Sequence, residues 1–312
     1  HLSIQDSINH KDYPFMQNIS SLDLLYAHLS RAMKIAHVIS LYRSRFSNFF
    51  YVLSMLAKKQ FPICARLKNG MEILITNYGE LVSVLFGFDY DKNADTILLD
   101  KGLKLCSATQ NGDIIGIFYY NDYDFLPVDG ESVIDIGANI ADSSLYFVLK
   151  GAKKVIALEP YPKNYETAMR NITLNNLDDR ISLSLAGCGN TNYDILIDDK
   201  RFGDLLEATA SDSGEVVKIR TLQSILEENR LSSAVLKMDC EGCEYDIILN
   251  ASDITLRHFP SIQIEYHYGY QNLKDKLEKV GFQVKNTRPR FAYNPYTNSP
   301  HTYVGFLYAR LL

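Results

Sequence analysis

The sequence lacks the features that mark several classes of protein. It has no tryptophan, and its five cysteines among 312 residues suggest no framework of disulfide pairs. No apolar run approaches the roughly 18 to 20 residues that a transmembrane helix needs. The polar start of the chain, His1 to Asp6, does not predict a signal peptide. An odd number of cysteines in strand-like segments is typical of a reducing compartment, so we expect a cytoplasmic protein.

Neither sign of charge dominates, since 37 acidic residues stand against 32 basic ones and the net charge is −5. This balance argues against a wholly basic nucleic-acid-binding protein. Acidic residues are nevertheless absent between Leu24 and Met71, where eight basic residues occur. A solvated helix face is the simplest interpretation of this segment. A surface for an anionic substrate, a membrane lipid or a nucleic acid is the alternative.

The most informative segment is Val133–Asp142, an apolar strand that ends near Asp135 and turns at Gly137 before a helix. About twenty residues further on, a second apolar strand ends in Glu159. This order of strand, turn, helix, strand and acid is typical of adenosine-binding sites in doubly wound sheets. The turn lies against the ligand, and the acid accepts hydrogen bonds from the ribose hydroxyls.

The turn lacks two of the three glycines of a dinucleotide site, because it reads Gly137-Ala-Asn-Ile-Ala141. A pyrophosphate must approach the backbone at a helix N-terminus, and those glycines allow it to do so. An adenosine ligand with an amino-acid tail and no phosphates fits better, which predicts S-adenosylmethionine as the cofactor. An ordinary βαβ unit with an incidental acid is the alternative.

We predict three regions: a helical segment at residues 1–60, a small β-rich cap at 61–130 and a Rossmann-like domain at 131–312. Apolar residues at helical spacing predict two amphipathic helices in the first region, with a break near Ser44–Ser47. In the second, Lys68-Asn-Gly70 predicts a hairpin turn and Asp113–Phe118 predicts a strand. The first region is expected to pack beside the cofactor cleft and to help select a polar or anionic acceptor.

From residue 131 onward strands alternate with helices, which predicts a parallel sheet covered by helices on both faces. The predicted helices are Asp142–Lys150, Pro162–Asn175, Leu222–Asn229, Cys243–Leu249 and Asn272–Val280. The predicted strands are Ser132–Ile136, Lys154–Leu158, Ile181–Ala186, Ala234–Asp239, Ser261–Tyr266, Phe282–Asn286 and Tyr303–Ala309. Residues 190–220 interrupt the alternation and predict an inserted hairpin or an extension of the sheet edge.

Ligands of such sheets lie beyond the carboxyl ends of the strands. The residues expected there include many carboxylates, which suit a ligand that carries a sulfonium and an ammonium group. They are Asp135, Gly137, Glu159, Ala186, Gly187, Asp239, Glu241, Glu265 and His267. Any single acid of this set could instead cap a helix or lie on the surface.

Several segments together resemble the FkbM family of S-adenosylmethionine-dependent methyltransferases. They are Val133–Asp142, Ala157–Pro160, Asn171–Leu177, Leu236–Tyr245 and Ile264–His267, and the resemblance covers roughly residues 60–310. It implies a class I methyltransferase sheet of seven strands, the last of them antiparallel. It also implies methyl transfer to a hydroxyl group, typically of a sugar, a polyketide or another small product.

The resemblance also implies roles for individual residues. Gly137, Ala138 and Asn139 would face the methionine and ribose, and Glu159 would bind the ribose hydroxyls. Pro160 or Tyr161 would flank the adenine, and Asp239 would lie at the methyl-transfer end. Asp135, Ala186 and Gly187 complete the predicted cofactor site. A hydroxyl acceptor needs a general base, for which Asp239, Glu241 and His267 are the candidates.

The sequence departs from the family at Ala141, where a second glycine is common, and at Cys240 and Cys243. A Cys-x-x-Cys motif can bind zinc or take part in redox chemistry, but a zinc site usually needs a second pair. We therefore expect no metal, and we predict that these cysteines act as small buried residues at the end of the strand.

The expected partner is a small-molecule acceptor such as a glycan or a nucleotide-linked sugar. A nucleic-acid methyltransferase, which would hold phosphates with the basic segment, is the alternative. A catalytically degenerate binding module is a third hypothesis, against which the intact acids Asp135, Glu159, Asp239 and Glu241 argue. The missing glycines disfavour a nicotinamide-dependent oxidoreductase.

Overall fold

The computed structural model describes residues 20–106, 114–197, 214–292 and 302–312. Within these ranges the helices are α1 (Ser21–Arg45), α2 (Phe49–Ala57), α3 (Tyr78–Phe86), α4 (Asp142–Leu149), α5 (Pro162–Leu174), α6 (Leu222–Glu228), α7 (Cys243–Asn250), α8 (Asp253–Arg257) and α9 (Gln271–Val280). None of these helices is long and apolar enough to cross a membrane.

The strands of the described ranges are β1 (Ile63–Arg66), β2 (Glu72–Ile75), β3 (Asp89–Asp91), β4 (Thr96–Leu98), β5 (Lys104–Cys106), β6 (Ser132–Ile136), β7 (Lys154–Glu159), β8 (Ile181–Cys188), β9 (Tyr193–Ile197), β10 (Glu215–Arg220), β11 (Val235–Met238), β12 (Ser261–Tyr266), β13 (Phe282–Asn286), β14 (Arg290–Ala292) and β15 (Thr302–Leu311). Two compact units contain these elements. One is residues 29–122, and the other comprises residues 20–28 and 123–312 as far as they are described.

The unit of residues 29–122 has a hydrophobic core of its own. Phe46, Ile63 and Leu81 are fully buried in it. Strands β1 and β2 form the predicted antiparallel hairpin, and β3, β4 and β5 form a second antiparallel sheet. The predicted break between two helices is confirmed, because α1 ends at Arg45 and α2 begins at Phe49.

Two features of this unit were not predicted correctly. Helix α3 lies in the β-rich region, where a long connection between strands was expected. Asn77 caps it by accepting a hydrogen bond from the amide of Glu80, and Gly87 ends it in the left-handed conformation. The predicted strand Asp113–Phe118 is wrong over its described part, because Ile115–Tyr119 form a helical turn of the π type. Periodicity alone does not distinguish a short apolar strand from a buried helical segment.

The larger unit is built on one sheet with the strand order β13-β15-β12-β11-β6-β7-β8-β10-β9. Strands β12, β11, β6, β7 and β8 are parallel, and β15 runs antiparallel between β12 and β13. The seven strands from β13 to β8 therefore have the class I methyltransferase topology with an antiparallel last strand. This confirms the predicted fold class.

The described parts of residues 190–220 extend this sheet at one edge, as predicted. Strand β10 pairs in parallel with β8, and β9 pairs antiparallel with β10. The five helices predicted after residue 131 are all present, each with both ends within one residue of the prediction. The short helix α8 was not predicted.

The central strands are buried on both faces and are therefore mostly apolar, with Asp135, Glu159 and Lys237 as buried charged exceptions. Val133, Ile134, Val155 and Leu236 are at most 4% exposed. Because these strands are parallel, their carboxyl ends meet at one edge of the sheet, where the turn after β6, Glu159 and the residues after β11 and β12 lie together.

Candidate active site

The turn after β6 is tightly packed against the neighbouring strand end. Gly137 has φ +74°, and a β-carbon on it would lie 1.8 Å from the carbonyl oxygen of Asp239. The amides of Gly137 and Ala138 both donate to the carbonyl of Leu158, at 3.1 and 3.0 Å. Glycine is therefore required at position 137, and the turn is held between the ends of β7 and β11.

Asp135 lies beneath this turn and is fully buried. One of its oxygens is 3.0 Å from the amine of Lys237, and the other accepts hydrogen bonds from the hydroxyls of Ser143 and Ser144 at 2.7 and 2.6 Å. The Lys237 amine also donates to the carbonyl of Gly137 at 2.7 Å. The contacts of Asp135 are suited to holding the turn in place. Direct contact between Asp135 and a cofactor stays a prediction.

Lys237 is a buried cation that the sequence analysis did not single out. Burial opposes its charge, but Asp135 raises the pKa of the amine above its ordinary value. A lysine within the apolar segment Val235–Met238 was the signal available in the sequence, because a fully buried lysine requires a partner.

Glu159 ends β7 and is 3% exposed. Its two oxygens accept hydrogen bonds from the amides of Asn139 and Tyr161 at 2.8 and 2.9 Å. Burial raises the pKa of Glu159 to about 7, against the lowering effect of these bonds. The Oε1 atom also accepts from the side-chain amide of Asn164 at 3.4 Å. Each carboxylate oxygen has two acceptor sites, so Oε2 keeps one for a ligand hydroxyl.

Several backbone amides of the turn already donate hydrogen bonds within the protein. Asn139 donates to Glu159, Ala141 donates to the carbonyl of Ala138, and Ser143 donates to the carboxylate of Asp142. A pyrophosphate site depends on free amides at a helix N-terminus. The turn therefore suits an adenosine ligand without phosphates.

Pro160, Gly187 and Tyr161 lie beside Glu159 at the ends of β7 and β8. A β-carbon on Gly187 would lie 2.8 Å from a methyl group of Ile219 and 3.6 Å from the β-carbon of Pro160. Burial, together with the charges of Glu159 and Glu241, raises the pKa of Tyr161 to about 12. The residues predicted to flank the adenine are thus brought together, with the buried Ala186 in the same strand.

The three candidate bases are also brought together. The Nε2 atom of His267 lies 3.2 Å from Glu241 Oε2 and 3.8 Å from Asp239 Oδ1. On the other side of the ring, His267 Nδ1 is 3.2 Å from Glu244 Oε1. One buried imidazole therefore lies among three carboxylates.

Glu244 is the residue of this cluster that the sequence analysis missed. It is fully buried, and its two oxygens accept hydrogen bonds from the amides of Cys240 and Gly242 at 2.9 and 2.8 Å. It thus connects the loop after β11 to the histidine after β12. The Asp-x-Glu-Gly-x-Glu pattern of residues 239–244 contained this signal.

The charges of His267 and Asp239 depend on their burial and on the carboxylates close to them. Burial opposes the charged form of His267, but Glu244 and Glu241 raise its pKa well above its ordinary value. The neighbouring carboxylates therefore favour the imidazolium form of His267. Burial, followed by the charge of Glu265, raises the pKa of Asp239 well above that of an ordinary aspartate.

Comparison with known proteins identifies the domain that carries this site. Residues 135–284 match the model of the methyltransferase FkbM domain. The chain contains an FkbM methyltransferase domain. The family resemblance inferred from the sequence is thereby confirmed, and the matched residues include the turn after β6, Glu159 and the His267 cluster.

Solved structures similar to the chain include two methyltransferases and TYW2 of Pyrococcus horikoshii. The methyltransferase FkbM from Methylobacillus flagellatus is 22% identical, with 58% of this chain and 44% of that one covered and a TM-score of 0.40. Precorrin-6y C5,15-methyltransferase from Geobacter metallireducens is 14% identical, with 72% of this chain and 94% of that one covered and a TM-score of 0.38. TYW2 of Pyrococcus horikoshii in complex with MeSAdo is 15% identical, with 83% of this chain and 81% of that one covered and a TM-score of 0.39.

All three TM-scores are below 0.5. The chain spans less than half the length of the Methylobacillus protein, 44% of it. No curated protein matches the sequence.

The FkbM domain contains one feature that contradicts the sequence analysis. Cys240 and Cys243 were predicted to be separate small buried residues, but their sulfur atoms form a disulfide bond. The two residues directly follow Asp239 and enclose Glu241 and Gly242. The four residues from 240 to 243 bring the two sulfurs together because Glu241 and Gly242 both have positive φ, +58° and +119°.

Donor atoms of Asp239, Glu244 and His267 lie within 4.8 Å of one another, a spacing at which a divalent cation could bind. Both oxygens of Glu244 already accept backbone hydrogen bonds, and the imidazolium supplies positive charge to the carboxylates. The absence of a functional metal stays a prediction, and metal analysis of the purified protein is its test.

Proposed function

We propose that this FkbM domain is an S-adenosylmethionine-dependent O-methyltransferase that acts on a hydroxyl group of a sugar or another small polar product. The observation that carries the proposal is the pairing of Glu159 with the turn amide of Asn139. This hydrogen bond provides an acid for ribose hydroxyls and at the same time removes an amide that a pyrophosphate would need.

S-adenosylmethionine supplies, when bound, a methyl group activated by a sulfonium. In the proposed site Glu159 accepts the ribose hydroxyls, Pro160 and Tyr161 flank the adenine, and Asn139 faces the ribose. Negative charge at the ends of β11 and β12 suits the cationic sulfonium and ammonium groups. Gly137 leaves the space into which the end of β11 packs, so the two halves of the site keep a fixed spacing.

Asp239 is the proposed general base. Burial, followed by the charge of Glu265, raises the pKa of Asp239, and a carboxylate with a raised pKa is a stronger proton acceptor than an ordinary aspartate. The Asp239 side chain is 24% exposed, so an acceptor hydroxyl can reach it. Its carboxylate would accept the hydroxyl proton of the acceptor, whose oxygen would take the methyl group as the carbon–sulfur bond breaks and S-adenosylhomocysteine leaves.

His267 and Glu241 are proposed to position Asp239 and to set the electrostatic environment of its carboxylate. As an imidazolium, His267 cannot accept a proton, which favours Asp239 over His267 among the candidates from the sequence. Its positive charge lies 3.8 Å from Asp239 and stabilises the carboxylate form before the proton arrives. Glu241 and Glu244 hold the ring from either side.

The test is transfer of a radiolabelled methyl group to a panel of small hydroxylated acceptors, with RNA as a separate arm. We expect transfer to at least one small acceptor and a loss of about 10²- to 10⁴-fold in kcat for Asp239→Asn, with S-adenosylhomocysteine still bound. The matched control is Asp275→Asn, an exposed aspartate on α9.

Two results would contradict the proposal. Transfer to RNA alone, weakening steeply with salt, would support the nucleic-acid methyltransferase instead. Binding of S-adenosylhomocysteine without transfer to any acceptor, in both the wild type and the control, would support a degenerate binding module.

A further inference from the structure

We propose that the Cys240–Cys243 disulfide is a reversible redox site that controls methyl transfer by fixing the position of Glu241. The inference rests on the proposed function of the same site. Its starting point is the location of the bond, which closes the loop between Asp239, the proposed base, and helix α7, whose first residue is Cys243.

The bond constrains residues whose backbone is unfavourable by itself. Glu241 has φ +58°, a left-handed conformation that residues with a β-carbon seldom adopt. Gly242 follows at φ +119°. A covalent link between the flanking residues limits the alternatives open to Glu241, so its conformation depends on the bond.

The position of Glu241 has a direct effect on the proposed catalytic cluster. Its carboxylate is 3.2 Å from His267 Nε2, the same atom that faces Asp239. On the opposite side of the loop, Glu244 accepts the amides of Cys240 and Gly242. When the disulfide opens, these two hydrogen bonds still anchor the loop, whereas Glu241 is free to leave the left-handed conformation and His267.

Opening and closing of the bond require an external thiol couple. A dithiol reductant transfers two electrons and two protons: the sulfur–sulfur bond of Cys240 and Cys243 breaks, two thiols form, and the reductant becomes a disulfide. A disulfide oxidant reverses the reaction. Both cysteines are partly exposed, so a small dithiol or a Cys-x-x-Cys protein can reach them.

The locations of the other described cysteines favour reaction of a thiol couple with the Cys240–Cys243 pair. Cys106 and Cys188 are buried, Cys64 is exposed, and all three are thiols. Burial raises the pKa of Cys188, which keeps that thiol unreactive. Cys64, on β1, serves as the matched control for general thiol effects.

The experiment compares oxidised and dithiol-reduced protein, with free thiols counted by alkylation and mass measurement. We expect reduction to lower kcat by about tenfold, within the roughly 100-fold that a misplacement of 1 Å can cause. The Kd for S-adenosylhomocysteine should change less than about twofold, because Glu159 and the turn after β6 are untouched. Reoxidation should restore kcat.

Variants assign the effect to the pair. Cys240→Ser/Cys243→Ser should have the kcat of the reduced wild type under both conditions, and Cys64→Ser should retain the full response. Equal kcat in the two redox states would overturn the inference. So would a bond that resists dithiols in the folded protein, or a Kd for S-adenosylhomocysteine that weakens in step with kcat.

Failure of the proposed function is distinguishable from failure of this inference. If the oxidised wild type neither binds S-adenosylhomocysteine nor transfers a methyl group, the proposed function is wrong. If it does both but is indifferent to dithiols, the redox inference alone is wrong.

Discussion

The carbonyl oxygen of Asp239 lies 1.8 Å from the point where a β-carbon on Gly137 would stand. The residue that turns the chain after β6 and the proposed base after β11 are therefore in direct backbone contact. This contact couples the shape of the cofactor turn to the end of the neighbouring strand.

A first prediction concerns Gly137→Ala. The added methyl group must displace the Asp239 carbonyl, and the alanine must adopt a positive φ. We therefore expect a loss of about 1–3 kcal/mol in the free energy of unfolding and weaker binding of S-adenosylhomocysteine. Urea denaturation and calorimetry measure the two effects. Gly130→Ala is the control, because Gly130 has the same φ of +74° with nothing within 4 Å. Equal losses in both variants would show that the contact with Asp239 is unimportant.

A second prediction concerns the pH dependence of cofactor binding. Burial raises the pKa of Glu159 to about 7, and hydrogen bonds from ribose hydroxyls favour the charged carboxylate. Affinity for S-adenosylhomocysteine should therefore increase as the pH rises through about 7 and level off above it.

Glu159→Gln should remove this pH dependence and weaken binding at high pH by about 1.5–3 kcal/mol. Calorimetry over a pH series measures both, with the exposed Glu166→Gln on α5 as the control. A pH dependence that persists in Glu159→Gln would assign it to another group. NAD binding more tightly than S-adenosylhomocysteine would contradict the assignment of the cofactor.

A third prediction concerns the buried ion pair of Lys237 and Asp135. Lys237→Met leaves a fully buried carboxylate without its counter-ion and should lower the free energy of unfolding by about 3–5 kcal/mol. Asp135→Asn/Lys237→Met should be more stable than Lys237→Met alone. The surface pair of Lys276 and Asp253 provides the comparison, since Lys276→Met should cost at most about 1 kcal/mol. Similar losses at both lysines would contradict the role of burial.

A fourth prediction concerns stability and the charge of His267. Its folded-state pKa is raised, so its ion pairs stabilise the protein fully below the unfolded pKa, and the contribution is lost as the pH rises through the folded pKa. The free energy of unfolding of the wild type relative to His267→Gln should therefore be most favourable near pH 6 and should decline at alkaline pH. Urea denaturation at a series of pH values measures it. Glu244→Gln should shrink the effect; a difference that grows with pH would show that His267 is neutral in the folded state.

The sequence was sufficient to predict the fold of the larger unit and the character of the turn. The alternation of apolar strands and amphipathic helices is local information, and it placed the helices after residue 131 to within one residue. The missing glycines and Glu159 are equally local, and they led to the adenosine ligand. The helices α3 and α8 and the turn Ile115–Tyr119 were not predicted, and all three are short segments for which periodicity is a weak guide.

Three points stay predictions: the domain boundaries, the roles of the site residues, and the contribution of residues 20–60 to the choice of acceptor. Contacts between strands that are far apart in the sequence could not be read from it. Lys237 reaches Asp135 because β11 lies beside β6 in the sheet, and Glu244 reaches His267 because β11 lies beside β12.

The state of the groups in the site was decided by tertiary structure alone. A histidine in a sequence can be a base, but the carboxylates of Glu241 and Glu244 favour the imidazolium form of His267, and Asp239 is the proposed base. Two cysteines three positions apart can be separate thiols, but consecutive positive φ angles at Glu241 and Gly242 bring their sulfur atoms together. Sequence determines which chemical groups are present, whereas their charge and bonding depend on the solvent and neighbours that only the folded chain provides.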